Sequence, residues 1–540
     1  MQGWIGCIGP DASSALERPT GFDRLEGPHS VVAATGAGKH GATLSRMPDG
    51  QLRAEIGDFP SSGSSAEISR DGTGVTLTCD PFGQHSVYTA HQGGRFWFAS
   101  DFGTLRLLAR IPLSVRADAL HGYLCFSYVP TPTTLAEGID RLPAGGRLAL
   151  RLSRNESDVV RHEHVWDRRQ PMLEDPEAAV CSLREKLQTV VARLAFERQD
   201  IGVYLSGGLD SSLVAAILAE MGTRIHLFAL DFGAPHDVEL PFARRVADHL
   251  NRPLHVVPAG PSEIERALFL TAEAMEQPFG DGVTVPLYLM GKAASDYTDV
   301  VFNGEFGDQL FGGWANKPMI AAELYGGPDF SRENAYMATF HRFHGQAKTL
   351  YTPEFLRAAE QIDAVQWVRP ALAVQNKSDL LSALRIANLL LKGAQNIGPR
   401  ARQLAAAYCL KACSPFCDVD LAQWTFSCPP DWLLRGACEK HLLKRAAEPY
   451  LPAEIVWREK RGMGAPTTEW CLGGLKRTVG RILHPKRLKR DGWFRPEAVL
   501  ELCAGRDRTA DFRSRRLGEK IWALLMLHVW LDVHTGIGGG

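Results

Sequence analysis

An excess of charge of either sign is absent from this 540-residue chain, in which 60 Lys and Arg stand against 61 Asp and Glu. Such a balance removes the usual reason to expect nucleic acid as the main partner. Even the most basic run, Lys476 to Arg490, reads as a solvated helix and loop face, although it could guide an acidic or peptide substrate. No run of eighteen apolar residues occurs, and the opening MQGWIGCIGPDASS has no basic segment followed by a long apolar core. The expectation is therefore a cytoplasmic protein with no membrane partner. Eleven cysteines, an odd number at irregular spacing, read as reduced thiols. Cys409, Cys413 and Cys417 would share one face of a helix, but no fourth Cys or His lies at metal-ligand spacing and Pro415 interrupts the run. The length suggests two domains or three.

What is present is organised around IGVYLSGGLDSSLVAAIL, residues 201 to 218. A short apolar run to Leu205 reads as a buried parallel strand; it breaks at Ser206-Gly207-Gly208 and resumes with a helical period after Asp210. Two glycines let the backbone turn and approach a ligand, while Ser206, Ser211 and Ser212 offer hydroxyls beside the free N–H groups of a helix start. That combination suits an anion, most simply a phosphate. The Walker pattern is missing, because no Gly-Lys-Ser/Thr follows, and so is the third glycine of the dinucleotide fingerprint. Instead a carboxylate, Asp210, sits in the cradle, and an acid beside a phosphate calls for a bridging cation such as Mg²⁺. The plainer alternative is an ordinary βα turn with glycine and serine for geometry.

Residues 1–165 alternate short apolar segments with glycine and polar turns, predicting an antiparallel β-rich domain. Polar residues between Arg151 and Glu177 mark a linker or a short wrapping strand. From 176 to 540 the rhythm is βαβ: a helix from about Pro176 to Arg198, the loop strand, a strand over 225–232, a helix over Leu240 to Leu250 and a strand over 254–258. The ligand should lie at the carboxyl ends of these strands. A further strand in VVFNGEFGDQLFGGW, residues 300–314, ends in a glycine-rich turn with two carboxylates, Glu305 and Asp308, whose plainer duty is capping a helix. Residues 330–410 are helical by period, most clearly in LLSALRIANLLLKGAQ.

The SGGLDSS loop resembles the pyrophosphate-binding loop of the N-type ATP pyrophosphatases, which transfer AMP to an acceptor. The first domain, in Asp80-Pro81-Phe82-Gly83, Phe96 to Asp101 and Gly122 to Leu148, resembles the class II glutamine amidotransferase domain of asparagine synthetases. NGEFGDQLFGG resembles that family's second signature, and Glu439 to Gly464 its closing segment. The resemblance implies a degenerate amidotransferase-like (Ntn) domain over 1–165 and a doubly wound parallel α/β synthetase domain with added helices over 176–540. It implies ATP and Mg²⁺ as cofactors, with ATP and pyrophosphate bound by Leu205, Ser206, Gly207, Gly208, Asp210, Ser211, Leu230 and Gly304. Asp210 and Asp308 would be the metal carboxylates, Glu305 would face the reacting carbonyl, and Lys460 would reach the α-phosphate and the charge developing at the acyl carbon.

Departures from the family carry information of their own. Position 2 is Gln2, where an amidotransferase of this class exposes a nucleophilic cysteine, so ammonia from glutamine is not expected. Gln309 replaces the glutamate that usually follows the aspartate, and Lys411 and Cys413 replace a glutamate and an arginine, which puts aspartate as substrate in doubt. Keeping the domain without its cysteine resembles the intramolecular members, the β-lactam synthetases and the lasso peptide macrolactam synthetases. Glu305, where β-lactam synthetases place a tyrosine, favours the lasso cyclases. The expected partners are a peptide or small-molecule carboxylate substrate, with a leader peptidase and a leader-binding protein of the same pathway. Alternatives are an ammonia-dependent asparagine synthetase, a β-lactam synthetase-like enzyme, and an inactive binding or scaffold subunit.

Overall fold

Period-2 alternation along the early strands predicts sheets with two distinct faces, and on the central strands of the first sheet both faces are buried. On Trp4–Ile8, Trp4 and Ile8 point into one hydrophobic cluster while Ile5 and Cys7 point into another; on Arg95–Ala99, Phe96 and Phe98 divide from Trp97 and Ala99 in the same way. The first cluster is the filling between two antiparallel sheets, one of six strands with Trp4–Ile8 between Ser30–Ala34 and Arg95–Ala99, the other of seven around Leu52–Asp58, Ser62–Ile68 and Gly74–Thr78. The second cluster joins the six-stranded sheet to helices from the far end of the chain. Phe102 lies 6.1 Å from Trp530 ring to ring, and the Tyr123 hydroxyl donates to the Ala523 carbonyl at 2.8 Å.

This computed structural model describes the chain except for residues 1–2, 13–15, 17–22, 28, 35–41, 59–61, 152–155, 158–160, 163, 165–170, 314–316, 326–330, 341–342, 373–378, 460–463, 507–513 and 537–540. Between the expected domains, Glu156–Ser157 and Arg161–His162 pair with Gly146–Arg151 as short wrapping strands. The helix Pro176–Ala195, capped by the Asp175 carboxylate, then leads into the second sheet.

That sheet has five parallel strands in the order Leu254–Pro258, Arg224–Asp231, Asp200–Tyr204, Val300–Phe302, Lys411–Cys413. Asp200–Tyr204 is central, and the direction of winding reverses between it and Val300–Phe302. In an open α/β sheet that reversal opens a crevice at the carboxyl ends of the two strands. The two glycine-rich turns, after residues 204 and 302, both open into it.

The long amphipathic stretch departs from a plain helix. Leu380–Asn388 is α-helical, Leu389–Ile397 widens to π, and Gly398–Ala406 returns to α. Close approach explains the glycines here: a Cβ on Gly393 would lie 2.9 Å from the Phe306 ring, and one on Gly398 would lie 2.8 Å from the Phe82 carbonyl oxygen. The three cysteines spaced by four share no helix. Cys409 is a left-handed residue beyond the end of Gly398–Ala406, Cys413 is on a strand, and Cys417 is in a 3₁₀ turn. Among the described residues no group of three or more His, Cys, Asp and Glu is arranged to hold a metal ion, and no helix is long and apolar enough to cross a membrane.

Candidate active site

Leu205 leaves the central strand with its N–H still donating to the Phe228 carbonyl at 2.8 Å, and the chain then turns through Gly207 at φ +67° into the helix Leu209–Glu220. Only glycine fits at 207, since a Cβ there would lie 2.5 Å from the Ala243 nitrogen. The Ser211 hydroxyl accepts from the Ser206 N–H at 3.2 Å, and the Ser206 hydroxyl accepts from the Gly208 N–H at 3.2 Å. These bonds fold the loop into a cup at a helix N-terminus, the backbone geometry that receives phosphate oxygens. Leu205 and Leu230, both buried, end two neighbouring strands beside it.

The second turn is pressed against the first. A Cβ on Gly304 would lie 2.5 Å from the Ser211 nitrogen, and one on Gly307 would lie 2.5 Å from an Asp210 carboxylate oxygen. Gly304 therefore serves by letting two backbones touch. Phe306, between Glu305 and Gly307, has φ +72°, a costly left-handed conformation for a residue with a Cβ. The turn then enters the short helix Gly307–Phe311, which carries Asp308.

Asp210 and Asp308, 98 residues apart in sequence, converge on one cation. The Lys440 ammonium lies 2.5 Å from Asp210 Oδ2, 2.7 Å from Asp210 Oδ1 and 2.6 Å from Asp308 Oδ1. Lys440 is 2 % exposed and is itself left-handed, at φ +55°, immediately before the helix His441–Ala447. Asp210 is buried and Asp308 partly exposed, and the two carboxylates would repel each other without the buried cation between them; removing the buried partner of such a group typically costs about 3–5 kcal/mol. The structure brings Asp210 and Asp308, expected as metal carboxylates, together around a lysine that the sequence reading did not single out. Its signal was weak: a lysine in EKHLLKR looks like any solvated charge on a helix.

Asp210 and Asp308 supply carboxylate oxygens of the kind a divalent ion takes. Both carboxylates already share one point with a cation, the Lys440 ammonium, beside the loop. Lys444 and Arg458 add positive charge and Glu439 a negative one along the same wall, lining a small recess with Leu209, Lys440 and Val456. The Arg458 guanidinium stacks 4.0 Å over the Phe242 ring, and burial lowers its pKa. Lys460, expected as the cation at the acyl carbon, lies outside the described residues.

Glu305 is placed by a residue that no motif announced. Arg400, on the helix after the π turn, donates to Glu305 Oε1 at 3.3 Å and to Asp281 Oδ2 at 2.7 Å. Burial pushes the Asp281 carboxyl up, but Arg400 and hydrogen bonds from Thr284 and Asn396 outweigh it and hold the carboxyl below its usual range. Cys413, at the position of the family's arginine, is buried in the sheet core, and its carbonyl accepts from the Asn303 N–H at 3.0 Å. It supports the turn from beneath. In the first domain, Cys7 is fully buried and its thiol is pushed up to about 12 by burial, the opposite of an activated nucleophile.

A phosphate cup, two carboxylates and a buried lysine at the switch point of a parallel sheet define a nucleotide-using enzyme of the α/β class. The model of the family described as Asparagine synthase matches residues 182–532, so the chain belongs to that family and is an ATP-dependent carbon–nitrogen ligase. A second model, described as Glutamine amidotransferase domain, matches residues 68–162. The chain is similar to asparagine synthetase (glutamine-hydrolyzing) 1 of Bacillus subtilis (strain 168), at 22% identity over 484 residues covering 84% of this chain and 74% of that protein. It is also similar to a putative asparagine synthetase (glutamine-hydrolyzing) of Mycobacterium tuberculosis (strain ATCC 25618 / H37Rv), at 24% identity, covering 73% of this chain and 65% of that protein. A probable asparagine synthetase (glutamine-hydrolyzing) of Schizosaccharomyces pombe (strain 972 / ATCC 24843) is 28% identical over 52% of this chain and 45% of its own length. The chain therefore spans less than two thirds of the latter two.

Proposed function

We propose that this ligase adenylates a carboxylate of a peptide and closes a macrolactam between an Asp or Glu side chain and the N-terminal amine of a lasso peptide precursor. The observation that carries the chemistry is the meeting of Asp210, Asp308 and Lys440 at the mouth of the loop 206–211. A free carboxylate is a poor electrophile, so it first attacks the α-phosphorus of ATP and the bond to the β-phosphate breaks. The loop N–H groups and Lys440 take up the charge of the departing pyrophosphate. Magnesium, held by Asp210 and Asp308, would supply further charge neutralisation on the phosphates. Glu305, fixed by Arg400, faces the acyl carbon and accepts the proton of the attacking amine, while Lys460 meets the negative charge that develops there. AMP then leaves.

Holding both reacting groups in one substrate replaces a second substrate with effective molarity. Glu305 favours this reading over a β-lactam synthetase, and Lys411, in place of the family's glutamate, speaks against aspartate as the acyl donor. In this reading a leader peptidase and a leader-binding protein deliver the peptide. The names of the similar proteins favour a second reading, an asparagine synthetase using ammonia. The two separate in one experiment. Purified protein with Mg·ATP is given a linear precursor core with Asp or Glu at the ring position, or aspartate with ammonium. A peptide product lighter by one water, formed with AMP and pyrophosphate, supports the macrolactam. Asparagine as the only product establishes the second reading.

A further inference from the structure

One residue of the first domain lies inside the core of the second. Phe82 is fully buried in the hydrophobic cluster built from the central strand, the loop helix, Phe302, Phe306 and Leu310, and it is the only described residue before Leu173 that belongs to or packs on that cluster. It is carried there by a rigid loop. The Asp80 carboxylate accepts from the Phe82 N–H at 2.9 Å and from the His85 N–H at 3.0 Å, and the Asp80 N–H donates to the Ser64 hydroxyl at 2.9 Å. Gly83 turns at φ +66°, and a Cβ there would lie 2.2 Å from the Ala394 carbonyl oxygen. The loop is thus seated backbone against backbone on the π turn.

What Phe82 touches is one of the two left-handed side-chain-bearing residues of the site, Phe306. Its ring meets that of Phe306 edge to face, with centroids 5.6 Å apart and planes at 84°. On another side Phe306 is closed in by Gly393, where a Cβ would lie 2.9 Å from the ring. Phe306 stands between Glu305 and Asp308, so its left-handed backbone aims one carboxylate at Arg400 and the other at Lys440. A residue in αL persists only where its surroundings over-determine it. Here those surroundings come from two domains.

We propose that Phe82 is a positioning residue for the synthetase site: the first domain clamps Phe306 in its left-handed state and thereby holds Glu305 and Asp308 in place. The domain has a role in the ligase reaction that is independent of any chemistry on glutamine. Only the nucleotide arm of the test rests on the ATP reading.

The test compares Phe82→Ala, Phe82→Leu and the control Leu187→Ala in the full chain. Leu187 is buried in the same cluster but lies on the helix Pro176–Ala195. Amide hydrogen exchange over residues 304–311 should accelerate about tenfold or more in Phe82→Ala, while Leu187→Ala, with a comparable loss of Tm, leaves it within twofold. Mg·ATP affinity should fall between about 10- and 100-fold in Phe82→Ala, as expected for misplaced groups, and recover in part in Phe82→Leu. In a Phe306→Gly background, where left-handed backbone costs nothing, Phe82→Ala should add no further loss of Mg·ATP affinity. Unchanged exchange over 304–311 in Phe82→Ala overturns the proposal, and so does an equal acceleration in Leu187→Ala. If the wild-type chain binds no Mg·ATP, the ATP reading fails and the exchange arm alone decides on Phe82.

Discussion

The two walls of the cleft were unequally legible. The sheet wall, made of the turns after Asp200–Tyr204 and Val300–Phe302, stands where the sequence placed it, with Asp210 and Asp308 converging. On the opposite wall, from Cys438 onward, the structure brings forward Lys440, which the sequence had not singled out, while Lys460 lies outside the described residues. The difference is one of locality. A strand, a glycine turn and a helix start are neighbours in sequence, so their geometry is written in about ten residues. A lysine 230 residues from its partner is placed by tertiary packing alone.

The largest effect that would sharpen this comparison is on Lys440. Lys440→Met should lower turnover by about 10²–10³-fold through lost charge at the leaving pyrophosphate. Without magnesium it should also lower stability by about 3–5 kcal/mol, because two carboxylates are left facing each other. Adding magnesium should then raise the Tm of this variant more than that of wild type, because the ammonium no longer competes; in Lys440→Met/Asp210→Asn the gain should vanish. Lys460→Met should instead keep pyrophosphate release while slowing amide formation. If the two lysine variants behave alike, the division of labour between them is wrong.

A smaller effect is expected on the sheet wall. Gly304→Ala forces a Cβ to within 2.5 Å of the Ser211 nitrogen, and such overpacking costs about 1–3 kcal/mol. Because the strain falls on the loop, ATP affinity should weaken with it; calorimetric titration of a non-hydrolysable ATP analogue measures this. Unaltered affinity would mean that the two turns are not rigidly stacked.

The antiparallel β character of the first domain was legible from alternation, though not its division into two sheets or its helices Phe102–Leu108 and Ala117–Phe126, and the order of strands and helices from residue 176 through 258 was legible too. What could not be read is how the halves lock together. Arg400 lies on an unremarkable helix, and its role follows from reaching Asp281 and Glu305 at once. Phe82 reads as part of a turn, and only the structure places it against Phe306. The widened turn at Leu389–Ile397 carries the close approach of Gly393 to Phe306, and Gly398 just beyond it the approach to Phe82; an α-helical period encodes neither.

The smallest effect concerns the seam between the halves. Burial pushes the Glu276 carboxyl up to about 7, against the opposing pull of Arg402, and its Oε2 accepts from the Tyr88 hydroxyl at 2.9 Å and from Gln403 at 2.6 Å. A carboxyl raised on folding takes up a proton in the native state. Its contribution to stability is therefore present below the unfolded value and is lost as pH rises toward 7. Between pH 5 and 8 the Tm of wild type should fall relative to that of Glu276→Gln, in which this component is flat. Parallel curves would place the proton elsewhere.

The account stands most directly on the fate of ATP. Wild-type protein turning over with its carboxylate substrate should release AMP and pyrophosphate in equal amounts, one of each per amide formed, and Asp210→Asn should release neither above background. ADP and phosphate as the products, or pyrophosphate release undiminished in Asp210→Asn, would contradict the assignment of the loop and its carboxylates as an adenylating site.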